Sequence, residues 1–288
     1  MLFNSYIFIF LFLPAVLLGF YLIGGRGHHR VAISWLVGCS LFFYGWWNPA
    51  YLGLILASIL FNYAFGLMVA SESTPRRKAV LTVGVSANLG LLGYYKYSNF
   101  FVDNLNLALG SSFHLVTVIL PLAMSFFSFQ QIAYLVDAYR GETREYNFLH
   151  YCLFVTFFPQ LIAGPIVHHR EMLPQFARDV IYRVNHQNLV IGLAIFTIGL
   201  FKKVVLADGV AVFANPVFSA AEAGISLSLF EAWGGALAYN MQIYFDFSGY
   251  SDMAIGLGRM FGIRLPLNFH SPYKARNMIE FWHRWHMT

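Results

Sequence analysis

Apolar runs of bilayer length alternate with short polar clusters along most of the chain. Leu2 to Ile23, Val31 to Trp46, Ala50 to Ala70, Ala79 to Tyr95, Val116 to Val136 and Gln187 to Leu206 each come close to the ~20 residues that a spanning helix requires. Trp47-Asn48-Pro49 separates the second run from the third. Asn-Pro marks a turn, and tryptophans suit the headgroup level. Tyr97 to Leu109 is shorter and is expected to lie in the interface. Leu227 to Ile263 is apolar but interrupted by Asp246, Asp252, Arg259 and several glycines. No internal repeat, low-complexity tract or linker is evident, so the pattern predicts one all-α polytopic membrane domain over residues 1–288.

Loop charges orient it. Arg26 and Arg30 follow the first run, Arg76, Arg77 and Lys78 the third, and Arg140 and Arg144 the fifth clear span. Basic loops after odd spans place those loops in the cytoplasm and the N-terminus outside. Phe148 to Ile166 is then flanked by basic residues on both sides and carries Pro159-Gln160 and Gly164-Pro165. It reads as a broken segment that dips in and returns, lining a cavity, or as an ordinary proline-kinked span.

Composition agrees. The chain is 58% hydrophobic, 18% aromatic and 11% charged, with mean hydropathy +0.60, against about 25% charged in soluble domains. The net charge of +5 is scattered between apolar runs, which is a topogenic pattern and excludes nucleic acid as the expected partner. Cys39 and Cys152 both lie in apolar runs, so no disulfide framework or metal-type spacing arises. Met1 to Ile23 lacks a basic n-region and a small-residue cleavage site, and is expected to be a retained helix.

Chemistry concentrates late. Tyr244-Phe245-Asp246-Phe247-Ser248-Gly249-Tyr250-Ser251-Asp252 sets two carboxylates in an apolar region. Carboxylates at membrane depth face a bundle interior or a wet cavity. On a helix Asp246 pairs better with Tyr250, and Ser248 with Asp252. The alternative is that these groups tie helices together or meet Lys202, Arg259 or Arg264. Gly256-Leu257-Gly258 has the wrong spacing for a dinucleotide loop. Asn277 to Trp285 predicts an amphipathic interfacial helix, with Arg276, Glu280 and Arg284 on a charged face and Phe281, Trp282 and Trp285 on an aromatic one. His286 has three readings: a general base near a wet cavity, a metal ligand with His283 and Glu280 but without further ligands, or an interfacial histidine. The pairs His28-His29 and His168-His169 read as solvated loop histidines.

These residues together resemble the membrane-bound O-acyltransferases, in the branch of the alginate O-acetyltransferases and the D-alanine transfer protein of teichoic acid synthesis. The match includes Met1 to Tyr6, Phe42 to Pro49, Gly93 to Tyr97, Ser125 to Gln131, Pro159 to Pro165, Tyr244 to Ala254 and Phe281-Trp282-His283-Arg284-Trp285-His286. The resemblance implies about seven to nine spanning, re-entrant or interfacial helices around a central funnel, in the inner (plasma) membrane. It implies transfer of an acyl group, acetyl by expectation, from a cytoplasmic thioester (acetyl-CoA or a carrier-protein thioester) to hydroxyls of an extracytoplasmic polysaccharide. A secreted or membrane-anchored acyltransferase is the implied partner. No bound cofactor or metal is implied.

His286 matches the first of the family's two important histidines and is expected to act as base or proton relay. Arg284 and Glu280 are expected to orient it, and Trp282 and Trp285 to exclude water. Asp246, Ser248, Tyr250, Asp252, Tyr273, Pro159 and Gln160 are expected to support the site or line the cavity. The second histidine of the family lies in a later apolar segment, so these residues are expected to form the front part of a longer protein. Position 283 is more often Arg in this branch. Two other classes remain: a transporter, from Asp246, Asp252 and the broken segment, and a non-catalytic scaffold or acyl-group conduit for a partner enzyme.

Overall fold

The computed structural model describes residues 1–71, 73–111, 113, 118–142, 147–162, 164–165, 167 and 169–288, and for residue 170 the backbone alone. His114, Arg144, Ala163, Ile166 and His168, and the start of Val116 to Val136, fall outside the described residues. Within them the chain forms helices and a single isolated antiparallel bridge, as the all-α pattern predicts. Two helical stretches, Ala50–Ala70 and His186–Glu222, are long and apolar enough to cross a bilayer by length and composition. Contacts group the chain into two units: Met1–Ala32, Ala163–Val167 and Gln175–Thr288, and Ile33–Ile162 with His168–Pro174.

In the first unit, α1 (Leu13–Gly24) follows a π-helical turn at Phe8–Phe12. α9 (His186–Phe201) runs through a second π turn, Lys202–Ala207, into α10 (Asp208–Glu222). α11 (Leu229–Met260) is the long helix of this unit, and its start is legible in the sequence. Ser228 accepts from the Glu231 amide at 3.3 Å while Glu231 accepts from the Ser228 amide at 2.8 Å, a reciprocal cap. α9 and α11 meet through glycines. A Cβ on Gly199 would lie 2.5 Å from the Gly249 carbonyl oxygen, and one on Gly256 2.6 Å from that of Gly192. Small residues at such crossings let backbones approach where lipid supplies no hydrophobic drive. The Tyr21 hydroxyl donates to the Met260 carbonyl, and Phe3 stacks on Tyr250 at 4.6 Å.

The second unit holds most of α2 (His29–Gly45), then α3 (Ala50–Ala70), α4 (Arg77–Leu109), α5 (Met124–Arg140), α6 (Phe148–Thr156), α7 (Phe158–Leu161) and most of α8 (His169–Phe176). Tyr97 to Leu109 is not a separate interfacial segment. It continues α4, because Ser98 and Asn104 bond the carbonyls of Tyr94 and Phe100 one turn back and nothing breaks the ladder before Gly110, at φ +60°.

Neutral polar groups stitch α3, α4 and α5 together. Asn62 and Asn88 exchange amide hydrogen bonds at 3.1 and 2.7 Å. Ser58 donates to Gln131 at 3.2 Å. The break between α6 and α7 falls at Phe157, ahead of Pro159, and is satisfied in the same currency. The Phe158 amide, which a continuous helix would aim at Phe154, donates to Ser40 Oγ at 3.2 Å. The Phe154 carbonyl instead accepts from the amides of Gln130 at 3.0 Å and Gln160 at 2.8 Å. α6 has 9 residues, so it extends about 14 Å, short of the ~30 Å hydrocarbon core.

Candidate active site

The expected helix over Asn277 to Trp285 forms as α12 (Met278–Arg284), with those two residues as its caps. Asn277 Oδ1 accepts from the Glu280 amide at 2.8 Å, and Glu280 Oε2 accepts from the Arg276 amide at 2.8 Å. Glu280 Oε1 accepts from Arg284 Nη2 at 2.6 Å. The charged face therefore exists, but Arg276 enters it through its backbone. The Arg276 amide first, and then the Arg284 guanidinium, hold the Glu280 carboxyl below its usual range.

α12 is fastened to the chain before it. Phe269 bridges Trp285, the His270 amide donates to the Arg284 carbonyl at 2.9 Å, and the Met287 amide donates to the Asn268 carbonyl at 2.9 Å. These bonds hold His286 at φ +49°, a left-handed conformation that histidine adopts more readily than most side chains and that costs on the order of 1 kcal/mol. His286 Nδ1 lies 3.2 Å from the Thr288 carbonyl oxygen. A carbonyl only accepts, so the tautomer that makes this bond has its hydrogen on Nδ1 and its lone pair on Nε2.

Aromatic rings build the wall. Phe247 of α11 packs on the His286 ring at 5.2 Å. Trp285 meets Phe269 edge-on at 5.2 Å, Phe281 nearly parallel at 5.6 Å and Tyr244 of α11 at 5.7 Å. Tyr273 stands edge-on to Tyr244 at 5.0 Å and donates to Asn240 Oδ1 at 2.7 Å. Burial raises the Tyr273 hydroxyl pKa, and Tyr244 adds to the rise.

Of the residues expected at the site, His286, Tyr273, Glu280, Arg284 and Trp285 come together. Trp282 does not wall them off. It is 61% exposed, because it stands on the outward side of α12 with Met278, Ile279 and His283. Asp246 and Asp252 do not pair with Tyr250 or Ser248. Lys203 meets Asp246 at 2.8 Å and Lys202 meets Asp252 at 2.5 Å, because a neighbouring helix presents cations closer than the helix's own neighbours do. Ser248 is fully buried and Tyr250 stacks on Phe3, so neither joins the aromatic wall. Pro159 and Gln160 belong to the second unit, where Gln160 caps the Phe154 carbonyl. Among the described residues no group of three His, Cys, Asp or Glu could hold a metal ion. Sequence reasoning passed over Phe247, Phe269 and Asn268. The bridge brings in Phe269 and its neighbour Asn268, and bridges of one residue leave no periodicity; Phe247 enters only through its ring contact with His286.

Comparison with known proteins follows the same residues. The family model for the membrane-bound O-acyltransferases matches residues 95–288. A "Peptidoglycan O-acetyltransferase" of Helicobacter pylori is 47% identical, over 100% of this chain and 59% of that protein. A "Probable alginate O-acetylase AlgI" of Azotobacter vinelandii is 40% identical, over 100% of this chain and 57% of that protein. A "Teichoic acid D-alanyltransferase" of Bacillus subtilis is 28% identical over 58% of this chain and 42% of its own length. The chain thus spans somewhat more than half the length of the first two relatives. With its site motif and most of its length inside the matched region, the chain belongs to the membrane-bound O-acyltransferase family.

Proposed function

We propose that the protein to which these residues belong transfers an acyl group, acetyl in the first instance, from a cytoplasmic thioester to hydroxyls of an extracytoplasmic polysaccharide. The observation that carries this reading is the seating of His286, whose Nδ1 lies 3.2 Å from a carbonyl oxygen and whose ring packs against Phe247. The names of the relatives, which specify O-acetyl transfer to peptidoglycan and alginate, support the same class. In the reaction Nε2 takes the hydroxyl proton as the oxygen attacks the thioester carbonyl, the C–S bond breaks, and the thiolate leaves and is reprotonated. The donor is acetyl-CoA or a carrier-protein thioester. A secreted or membrane-anchored acyltransferase completes delivery to the polymer.

The remaining architecture belongs to the same proposal. It comprises about seven to nine spanning, re-entrant or interfacial helices around a funnel, in the inner membrane, with the N-terminus outside. The shortness of α6 and its break at Phe157 support a re-entrant segment there. Labelled acetyl transfer into envelope polysaccharide tests the function. His286→Ala in the full-length protein is expected to reduce incorporation about a hundredfold or more. Retained incorporation removes His286 from the mechanism. Cysteine-accessibility labelling on either side of Phe148–Leu161 tests the topology, and labels on opposite membrane faces end the re-entrant reading.

A further inference from the structure

Gly249 is the midpoint of a symmetrical grip on α11. A Cβ there would fall 3.0 Å from the Lys203 amide nitrogen and 3.1 Å from Lys202 Cβ, so α11 touches the π turn backbone to backbone. Asp246 and Asp252 stand three residues before and three after Gly249, about 60° to either side of that contact line. Lys203 Nζ reaches Asp246 Oδ1 at 2.8 Å and Asp208 Oδ1 at 2.8 Å, while Lys202 Nζ reaches Asp252 Oδ2 at 2.5 Å. The two lysines therefore pull on α11 from opposite sides of its closest contact.

The same stretch of α11 carries the rings of the candidate site. Tyr244 and Phe247 bracket Asp246 in sequence and touch Trp285 and His286. Glycine contacts set how close α9 and α11 come, but a smooth glycine surface does not resist rotation. A roll of α11 by 20° moves a ring on its rim by about 2 Å, and misplacement by ~1 Å can cost a hundredfold in rate. Something must stop the roll, and charges on both sides of the pivot do so. All four side chains remain partly exposed, so the pairs add little to stability. Their value is angular. π turns recur at functional positions in helices, and this one delivers both lysines.

We infer that Lys202 and Lys203, gripping Asp252 and Asp246 across Gly249, are positioning residues that set the rotation of α11 and so the placement of Tyr244 and Phe247 against Trp285 and His286. The carboxylates hold the wall of the site and do not line its cavity. The catalytic consequence rests on the acyl-transfer reading; the rotational stop does not.

Fluorine NMR separates the two. The full-length protein is labelled with fluorotryptophan in lipid nanodiscs, and the Trp285 resonance is assigned by Trp285→Phe. Lys202→Met is expected to shift or broaden the Trp285 resonance while leaving that of the outward Trp282 unchanged. The swap Lys202→Glu with Asp252→Lys is expected to restore it. Acyl transfer should fall roughly tenfold or more in Lys202→Met and recover in the swap. An unmoved Trp285 resonance in Lys202→Met, or a displacement that the swap does not reverse, overturns the proposal. If Lys202→Met does not fold, the swap alone decides: a native Trp285 resonance supports the stop, and a displaced one refutes it. Spectra that behave as expected in a protein without acyl-transfer activity uphold the stop and defeat the functional reading.

Discussion

The two units solve the problem of polar groups among apolar helices in different ways. In the second unit the side-chain pairs between α3, α4 and α5 are neutral amides and hydroxyls, with Arg77 as a charged donor to the Val69 and Tyr139 carbonyls. Asn62 and Asn88 satisfy each other, and Gln130 and Gln160 share one freed carbonyl. In the first unit α11 packs on its neighbour through glycines and is flanked by charge, through Lys202 with Asp252 and Lys203 with Asp246. Neutral amides lose little on desolvation once paired and lock a single arrangement. Charges reach further and are tolerated because they stay partly wet. The difference teaches that the unit with the broken helix is built to keep its shape, and the unit with His286 is built to be aimed.

The sharpest break of this comparison lies where neither device operates. Gly256→Ala forces a methyl to within 2.6 Å of the Gly192 carbonyl and should destabilise the first unit by about 3 kcal/mol. Hydrogen exchange should show the loss in α9 and α11 and spare α3 to α5.

Acid separates the units next. His169 in the second unit is buried at the start of α8 and is not the solvated loop histidine that the sequence suggests; burial lowers it from 6.5 to about 4, with Asp137 opposing and His150 reinforcing. A histidine with a depressed folded value binds its proton more readily when unfolded. Its contribution is therefore complete above the unfolded value of 6.5 and is lost as pH falls toward 4. The loss should reach roughly 2–3 kcal/mol, seen as faster exchange in α5, α6 and α8, and His169→Asn should flatten the profile. Glu280 has the same sign of linkage, because its carboxyl is also held below its usual range. Its lowered carboxyl keeps the α12 corner closed until pH falls below the usual carboxylate range, so the second unit should loosen first.

A smaller effect tests the neutral lock. Asn88→Leu takes away the donor to buried Asn62 Oδ1, while Asn62 Nδ2 keeps the Ser58 carbonyl, and should cost about 2 kcal/mol of stability. Adding Asn62→Leu should cost less than the sum, because both partners then leave together. The smallest is Tyr273→Phe, which removes one half-exposed bond to Asn240. It should cost about 1 kcal/mol or less, with the Trp285 environment preserved.

Much of this was readable in the residues. The caps at Ser228 and Asn277 follow from their side chains and the glutamates three positions on. The apolar runs predict α3 and α9, and the Phe281 to His286 motif leads to the aromatic site. What escaped has a common cause. Lys202 is among the partners that the sequence offers these carboxylates, and it meets Asp252; the pairing of Lys203 with Asp246 and the grip on both sides of Gly249 depend on which helices are neighbours and on a π turn, and intrahelical spacing sees neither. The continuity of α4 past Tyr97 escaped because serine and asparagine resemble interruptions until their bonds to carbonyls one turn back are visible. Phe247 looked like one more apolar residue, and only the position of His286 gives it a role.

The π turn at Lys202–Ala207 has a last consequence. Such a turn accommodates one residue more than the helix around it would hold. Removing that residue would rewind the stretch into an ordinary helix, whereas adding a second one, which no bulge absorbs, would advance everything after it by about 1.5 Å and swing it by roughly 100°. Asp208, now beside Lys203, would then point elsewhere, as would the whole of α10. The count of residues between Gly199 and Asp208 is itself a specification, and an insertion of one there should be tolerated less well than almost any substitution of the side chains it carries.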